Sequence, residues 1–245
     1  MRSTVIVQAR TTSTRLPGKV LADLAGKPMF ERQLERLARC TLAHEVVVAT
    51  TVNATDDPLV ALADRLGLRW FRGSESDVLG RYVGAAREAR ADMVVRVTSD
   101  CPLIDPVEVD RVIAEMSARR ETADYAANVL EPHLPLGLAC EALWRDVLDR
   151  MDRLGTEAPA REHVTWLCRT GRPELFVSHS VRGAVDAPDL RWTVDTPEDL
   201  EVARRLYAGL GLADAPATTS AEIVAYCRAH PDIPAINAHV EQKTV

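Results

Sequence analysis

Short apolar runs alternate with amphipathic stretches along the first half of the chain. The apolar runs have the length of buried strands, and they cover 4–9, 45–50, 68–71 and 92–99. The stretches between them repeat apolar residues at helical spacing, over 28–40, 57–67, 77–89 and 105–120. This β-α-β-α-β-α-β order predicts the α/β class, with an open, doubly wound and mostly parallel sheet.

The alternation changes near residue 121. Residues 123–143 combine short strand-like pieces with turns, and we interpret about 123–153 as a protruding arm. The later pattern predicts further helices and strand-like stretches, at 142–153, 159–170, 176–181, 189–196, 197–211 and 219–229. Because no linker rich in glycine and serine divides the chain, we predict a single domain over 1–245.

The carboxyl ends of the four predicted strands mark the place where a ligand would bind. In open parallel sheets, ligands lie in a crevice outside these ends. Here the strands end at or near Ala9, Thr50, Phe71 and Thr98. The loops after these residues therefore surround one crevice.

Overall composition argues against several classes of protein. The 30 basic residues are outnumbered by 36 acidic ones, giving a formal charge of −6, so a general nucleic-acid-binding surface is not expected. No stretch approaches the roughly 18–20 apolar residues that span a bilayer. The five cysteines are scattered singly without a Cys-x-x-Cys pair, which argues against structural zinc and a disulfide framework. We expect a soluble, cytoplasmic protein that binds neither nucleic acid nor membrane.

A basic loop follows the first strand, in the sequence VIVQARTTSTRLPGKVL (5–21). It places Arg10, Arg15 and Lys19 at the carboxyl end of that strand. A loop between a strand and a helix can present backbone N–H groups and cations to phosphate. Neither a GxxxxGK[ST] nor a GxGxxG motif is present, and the alternative is that these cations lie on a solvated surface.

Two acidic residues follow later strands. Asp100 comes directly after the strand at 92–99, and a carboxylate that faces cations and phosphate indicates Mg²⁺. Asp105 is better explained as a helix cap. Asp195 ends a strand-like stretch, while Thr196 and Asp199 form a variant of the capping box. Asp195 is therefore left for another role.

Two further stretches contain candidate site residues. Arg72, Ser74 and Asp77 crowd the loop of FRGSESDVLGRY (71–82), where Asp77 also fits a helix N-cap. His163, in REH (161–163), is the weakest candidate, because a histidine near a helix start is more often structural than catalytic.

Six motifs fall in order along nearly the whole chain: QARTTSTRLPGKVL, ATT (49–51), FRGSESDVLGRY, RVTSDCPLIDP, REHVT (161–165) and VDTPEDL. Together they resemble the cytidylyltransferases that activate Kdo, sialic acid and related sugar acids, and especially the spore-coat polysaccharide branch of that family. The resemblance implies a GT-A-like nucleotidyltransferase fold, the substrate CTP, a small acidic acceptor, the cofactor Mg²⁺ and a homodimer built on the arm.

The resemblance also implies roles for residues of this chain. It assigns Arg10, Arg15 and Lys19 to the triphosphate and to catalysis, and Asp100 and Asp195 to the metal. The other residues implied to contact the nucleotide are Ala9, Thr50, Arg72, Ser74, Asp77 and Thr98. Those implied to face the acceptor are Leu136, Ala139, Glu141 and His163.

The sequence departs from the family pattern at three positions. Ser99 stands where a glycine is expected, and Leu136 and Ala139 replace an arginine and an aspartate of the arm. We therefore expect the acceptor to be a sugar acid, as the resemblance implies, or another small acid such as a phosphonate. Two alternatives remain open: a GT-A glycosyltransferase, although the spacing of Asp100 and Asp105 does not fit its Asp-x-Asp motif, and a non-catalytic nucleotide-binding protein.

Overall fold

The structure, a computed structural model, describes residues 1–242. Within this range the strands are β1 (Ser3–Gln8), β2 (Asp23–Leu24), β3 (Lys27–Pro28), β4 (Glu45–Thr51), β5 (Arg69–Gly73), β6 (Met93–Thr98), β7 (Tyr125–Ala127), β8 (Glu141–Trp144) and β9 (Ser178–Ser180). The α-helices are α1 (Met29–Leu37), α2 (Asp57–Arg65), α3 (Val78–Glu88), α4 (Pro106–Ser117), α5 (Arg145–Leu154), α6 (Ala158–Glu162), α7 (Pro197–Leu210), α8 (Ser220–Ala229) and α9 (Asp232–Ala235).

Seven strands form one sheet in the order β5-β4-β1-β6-β8-β7-β9. The first four are parallel, with Val5 of β1 paired to Val46 on one side and Val95 on the other. β8 is antiparallel to both β6 and β7, and β9 pairs in parallel with β7. Because helices cover both faces of a doubly wound sheet, the middles of the central strands are mostly apolar, and Val5 and Val95 are fully buried. The predicted α/β class with a mostly parallel sheet is confirmed.

Two predictions about the second half of the chain are wrong. The predicted helix at 159–170 is broken, because α6 ends at Glu162 and Val164 adopts a positive φ of 24°. Residues 189–196 do not form a strand. Only Arg191 in this stretch forms a β-bridge, and its partner is Leu136. The backbone of Leu136 is also hydrogen-bonded to the residues on either side of Arg191. Gly137 makes this close approach feasible, since a Cβ there would lie 2.6 Å from the nitrogen of Thr193.

The segment 123–153 does not protrude. Its strands β7 and β8 belong to the central sheet, and Tyr125, Leu143 and Trp144 are buried. The Trp144 indole also donates to the carbonyl of Ala123 at 2.8 Å. Leu136 is 40% exposed at the end of the cleft described below. An arm with a large exposed apolar surface is therefore not confirmed, because one chain buries most of that surface in its own core.

The predicted helix caps are confirmed. Thr196 caps α7 in a capping box with Asp199, and Asp77 and Asp105 accept bonds from the first turns of α3 and α4. All five cysteines are free thiols. Along residues 1–242, none of the helices has both the length and the apolar character needed to cross a bilayer.

Candidate active site

A cleft of about 1270 Å³ opens at the carboxyl ends of the parallel strands. Its wall includes the basic loop after β1, the loops after β4, β5 and β6, and residues from 136–139 and 158–163. The sequence-predicted residues that line it are Ala9, Arg10, Arg15, Lys19, Ser74, Thr98, Asp100, Leu136, Ala139, His163 and Asp195. The position expected from the strand order is therefore confirmed.

A backbone hydrogen bond closes the basic loop just before Lys19. The N–H of Gly18 donates to the carbonyl of Thr11 at 2.9 Å, and Gly18 has a left-handed φ of 71° that glycine adopts without a Cβ penalty. A single 3₁₀ turn, Lys19–Leu21, follows at once. This turn fixes the stem of Lys19 so that its ammonium points into the cleft.

Lys19 lies between the two predicted metal carboxylates. Its Nζ is 2.9 Å from Oδ1 of Asp195 and 3.5 Å from Oδ2 of Asp100, and it donates to the Val194 carbonyl at 2.6 Å. Asp100 and Val194 are also joined directly, because the N–H of Val194 donates to the carbonyl of Asp100 at 2.8 Å. Residues that are far apart in the sequence thus form one charged cluster.

Asp195 is bound by two arginines in addition to Lys19. Arg15 reaches its Oδ1 at 2.8 Å, and Arg191 reaches its Oδ2 at 3.0 Å. Arg191 is itself held by Asp199, at 2.9 Å, and Asn237 donates to that same Asp199 at 2.8 Å. The orientation of the Asp195 carboxylate is therefore fixed from both sides.

The Asp100 carboxylate is stabilised in its charged form. Burial alone would raise the pKa of Asp100, but the Lys19 ammonium and the Thr98 hydroxyl, which donates at 2.6 Å, together lower it. Asp100 therefore keeps the negative charge that a cation ligand needs.

The cleft also contains an acidic residue that the sequence did not single out. Glu75 pairs with Arg10 at 3.1 Å, accepts from the hydroxyl of Thr12, and accepts from the amide of Asn53 at 2.6 Å. These partners come from the loops after β1 and β4, while Glu75 follows β5. One carboxylate thus connects three loops at this end of the cleft.

Comparison with known proteins assigns this arrangement to a family. The cytidylyltransferase family model matches residues 4–213. The spore coat polysaccharide biosynthesis protein SpsF of Bacillus subtilis is 32% identical over 234 residues, 93% of this chain and 94% of SpsF. The 3-deoxy-manno-octulosonate cytidylyltransferase of Geobacter sulfurreducens is 43% identical over 120 residues, 48% of this chain and 46% of that enzyme.

The chain belongs to the cytidylyltransferase family. It is a CTP-dependent nucleotidyltransferase, as the sequence resemblance implied. A solved cytidylyltransferase from Leptospira borgpetersenii superposes on the whole chain with a TM-score of 0.90 and 27% identity, covering 99% of that structure. The glycosyltransferase alternative finds no support in this family assignment.

Four residues predicted for the nucleotide or acceptor site are not among the side chains lining the cleft of this cytidylyltransferase. Thr50 is fully buried. Arg72 is turned toward backbone carbonyls after β4, donating to Thr51 at 2.6 Å and Asn53 at 2.7 Å. Asp77 caps α3 and pairs with Arg161 at 2.6 Å. The polar contacts of Arg72 and Asp77 are therefore with other parts of the protein, away from the cleft lining.

Glu141, the fourth, lies behind the wall of the cleft. It is 2% exposed and forms an ion pair with Arg96, which does line the cleft. The hydroxyls of Tyr125 and Thr165 donate to its other oxygen at 2.6 and 2.5 Å. Burial would raise the pKa of Glu141, but Arg96 and these hydroxyls lower it. Glu141 thus positions Arg96, a cleft residue that sequence reasoning missed.

Asp56 is a third residue that the sequence did not reveal, and it supports the cleft of this cytidylyltransferase from behind. It is fully buried and accepts from the N–H of Thr11 at 2.8 Å, from the Thr11 hydroxyl at 2.7 Å and from the Thr51 hydroxyl at 2.5 Å. Burial raises its pKa, but these donors lower it further than burial raises it. In the sequence, Asp56 is indistinguishable from an ordinary helix-start residue. Its contacts anchor the basic loop to β4.

We predict that Asp56→Asn destabilises the fold by about 1–3 kcal/mol near neutral pH, because it weakens hydrogen bonds to a buried charge. The folded-state pKa of Asp56 is lowered, so the ionised carboxylate contributes fully to the free energy of unfolding above its unfolded pKa of about 3.9. That contribution is lost as the pH falls through the folded-state pKa. The difference between the variant and the wild type, measured by urea unfolding, should therefore shrink in acid. Asp57→Asn, an exposed neighbour, is the control; an equal loss there would contradict the anchor role.

Proposed function

We propose that this enzyme transfers CMP from CTP to a small acidic acceptor, a sugar acid or a related acid such as a phosphonate, and releases pyrophosphate. The observation that carries the proposal is the cluster of Lys19, Asp100 and Asp195, with Arg15 on the same aspartate. Two carboxylates and two cations at the end of a nucleotide-binding sheet provide what a reaction of a metal-bound triphosphate requires.

In the proposed reaction, an acceptor oxygen attacks the α-phosphorus of CTP in line. The new bond joins that oxygen to the α-phosphorus, the bond to the bridging oxygen breaks, and pyrophosphate leaves with its electron pair. The acceptor hydroxyl gives its proton to solvent water, or an acceptor oxyanion reacts directly without a proton transfer. Lys19 and Arg15 neutralise the charge that grows on pyrophosphate, so positioning and electrostatics supply most of the catalysis.

The residues present fit a magnesium ion. Asp100 and Asp195 are hard oxygen ligands that approach the same Lys19 ammonium, and each carboxylate has more acceptor positions than its present bonds use. The described residues contain no group of three or more potential metal ligands, which agrees with Mg²⁺ bound by one or two carboxylates, phosphate oxygens and water. Bound there, Mg²⁺ would supply charge neutralisation to the phosphates.

The cations of the cluster must change partners when the substrate arrives. In this structure, Lys19 and Arg15 satisfy Asp195. Phosphate oxygens would take over these two cations, and the released carboxylate would face the metal. Arg191, held by Asp199, keeps its bond to Asp195 throughout and preserves the orientation of the carboxylate.

The acceptor end of the cleft has an unusual composition. Leu136, Ala139 and His163 line it, and neither Leu136 nor Ala139 can bind an acid through charge. The similarity to a 3-deoxy-manno-octulosonate cytidylyltransferase supports an acceptor related to sugar acids. The replaced side chains support an acceptor whose acidic group is bound elsewhere in the cleft.

We predict pyrophosphate release when the protein is incubated with CTP, Mg²⁺ and one acid from a panel of sugar acids and phosphonates. A coupled pyrophosphatase assay measures release, and phosphorus NMR identifies the CMP ester. ATP, GTP and UTP should give little product with the same acid. Release without any acceptor, or no release with every acid, would contradict the proposed transfer.

We predict that Asp100→Asn and Asp195→Asn each lower kcat/KM by roughly 10²–10⁴ and raise the Mg²⁺ concentration needed for activity, because each removes an anionic ligand. The matched control is Asp105→Asn. Asp105 lies five residues from Asp100 but accepts from the N–H groups of Val107 and Ser220. Its loss should cost about 0.5–2 kcal/mol of stability with activity nearly unchanged. A comparable catalytic loss at Asp105 would show that the metal carboxylate was misassigned.

We also propose a homodimer that works in the cytoplasm, where CTP is made. The supporting observation is Leu136, an exposed apolar residue beside the acceptor end, which a second subunit would cover. Light scattering at micromolar concentration should give about twice the chain mass of 26.9 kDa. A monomer mass, or a dimer that survives Leu136→Glu unchanged, would contradict this interface.

A further inference from the structure

Four of the five basic side chains that line the cleft form ion pairs with carboxylates. Arg10 pairs with Glu75, Arg15 and Lys19 pair with Asp195, and Arg96 pairs with Glu141. The fifth, Arg81 on the first turn of α3, forms no ion pair with any of residues 1–242. Arg81 is therefore the uncompensated cation of the cleft within the described chain.

The side chain of Arg81 is deeply buried and poorly satisfied. The residue is 2% exposed, its Nε has no hydrogen-bond partner among the described residues, and its Nη1 makes only a long contact of 3.4 Å with the carbonyl of Ala49. Burial lowers the pKa of Arg81, as expected for a guanidinium withdrawn from water. A buried charge without a partner is costly, so its presence at the cleft floor requires a compensating function.

The surrounding chain leaves space for this guanidinium. Gly73, at the end of β5, lies against the stem of Arg81, and a Cβ there would come within 2.7 Å of its Cγ. Asp56 and Glu75 attract the Arg81 guanidinium from a distance, but their carboxylates are bonded to Thr11 and Arg10. Neither forms an ion pair with Arg81 among the described residues, so its free donors are left for a ligand in the cleft.

We propose that Arg81 is a substrate-binding residue whose guanidinium binds an anionic oxygen at the floor of the cleft. The anion belongs to the nucleotide phosphates or to the acidic group of the acceptor. This inference rests on the proposed function only in that these anions are reactants of CMP transfer. A guanidinium provides paired donors that match carboxylate and phosphate oxygens. Leu136 stands where the family pattern has an arginine near the acceptor. Arg81 is a cation elsewhere in the same cleft and would supply a positive charge that Leu136 lacks.

The test compares Arg81→Met, which removes the charge but keeps an unbranched chain, with Arg87→Met. Arg87 is an exposed residue of the same helix and serves as the matched control. Calorimetry measures the binding of four probes: CTP with Mg²⁺, CMP, pyrophosphate with Mg²⁺, and 3-deoxy-manno-octulosonate. We expect Arg81→Met to weaken at least one probe by roughly 10- to 100-fold, and Arg87→Met to weaken none.

The probes separate the two sources of the anion. A loss for CTP and CMP, or for CTP and pyrophosphate, places a phosphate on Arg81, whereas a loss confined to 3-deoxy-manno-octulosonate places the acceptor there. If every probe that binds the wild type also binds Arg81→Met within about threefold, or if the wild type binds none of them, the inference is overturned. Failure of CTP alone to bind the wild type would contradict the proposed function, while the other anions would still decide the role of Arg81.

Thermal unfolding of the free protein separates binding from a structural role. Because Arg81 has no carboxylate partner in the described chain, its removal should leave the Tm unchanged or raise it, and should reduce the Tm increase that the affected probe causes. A lower Tm for the free variant together with unchanged binding would show that Arg81 only supports the fold.

Discussion

The carboxylate of Asp195 is bound by Lys19 and Arg15 from the first loop and by Arg191 from the stretch before α7. These contacts join the two ends of the chain, because Lys19 and Asp195 are separated by 176 residues. The parallel half of the sheet presents the loop, and the second apolar cluster around α7 and α8 carries the aspartate. A buried ion pair of this kind is weak evidence for stability, but it strongly favours one arrangement of its members once the fold has formed.

The amino-acid pattern predicts the parallel half of the fold well. Buried parallel strands are continuous apolar runs, and the helices between them have a periodic apolar face, so β1, β4, β6 and their helices follow from local sequence. Caps are equally local, as Thr196 shows. The antiparallel strands β7 and β8 are harder, because three or four residues have no distinctive period. The sequence pattern predicts an exposed arm for their apolar residues, although the sheet buries them.

The candidate site also contains residues that local sequence predicts and residues that it does not. Arg15, Lys19, Asp100 and Asp195 could be found because each lies directly after a strand or in a specific motif. Their partners could not be found from the sequence, because the role of a polar residue depends on which residues the fold places in contact with it. Asp56 resembles a helix start until it is seen to accept three bonds from Thr11 and Thr51. The burial of Arg81 and Glu141 shows the same limit, since it has no signature in the sequence.

Charge balance explains why an acidic protein carries a basic cleft. Arg10, Arg15, Lys19 and Arg96 all pair with carboxylates of the cleft, two of them with the shared Asp195, so the charge balance of the cleft does not depend on the charge of the whole chain. These pairs differ in how easily a phosphate could replace the carboxylate. Arg10 and Glu75 are partly exposed and lose little by separating, whereas the fully enclosed Glu141 remains costly to separate from Arg96. The Arg10–Glu75 pair is therefore suited to exchange partners with an anion, and the Arg96–Glu141 pair is suited to remain rigid.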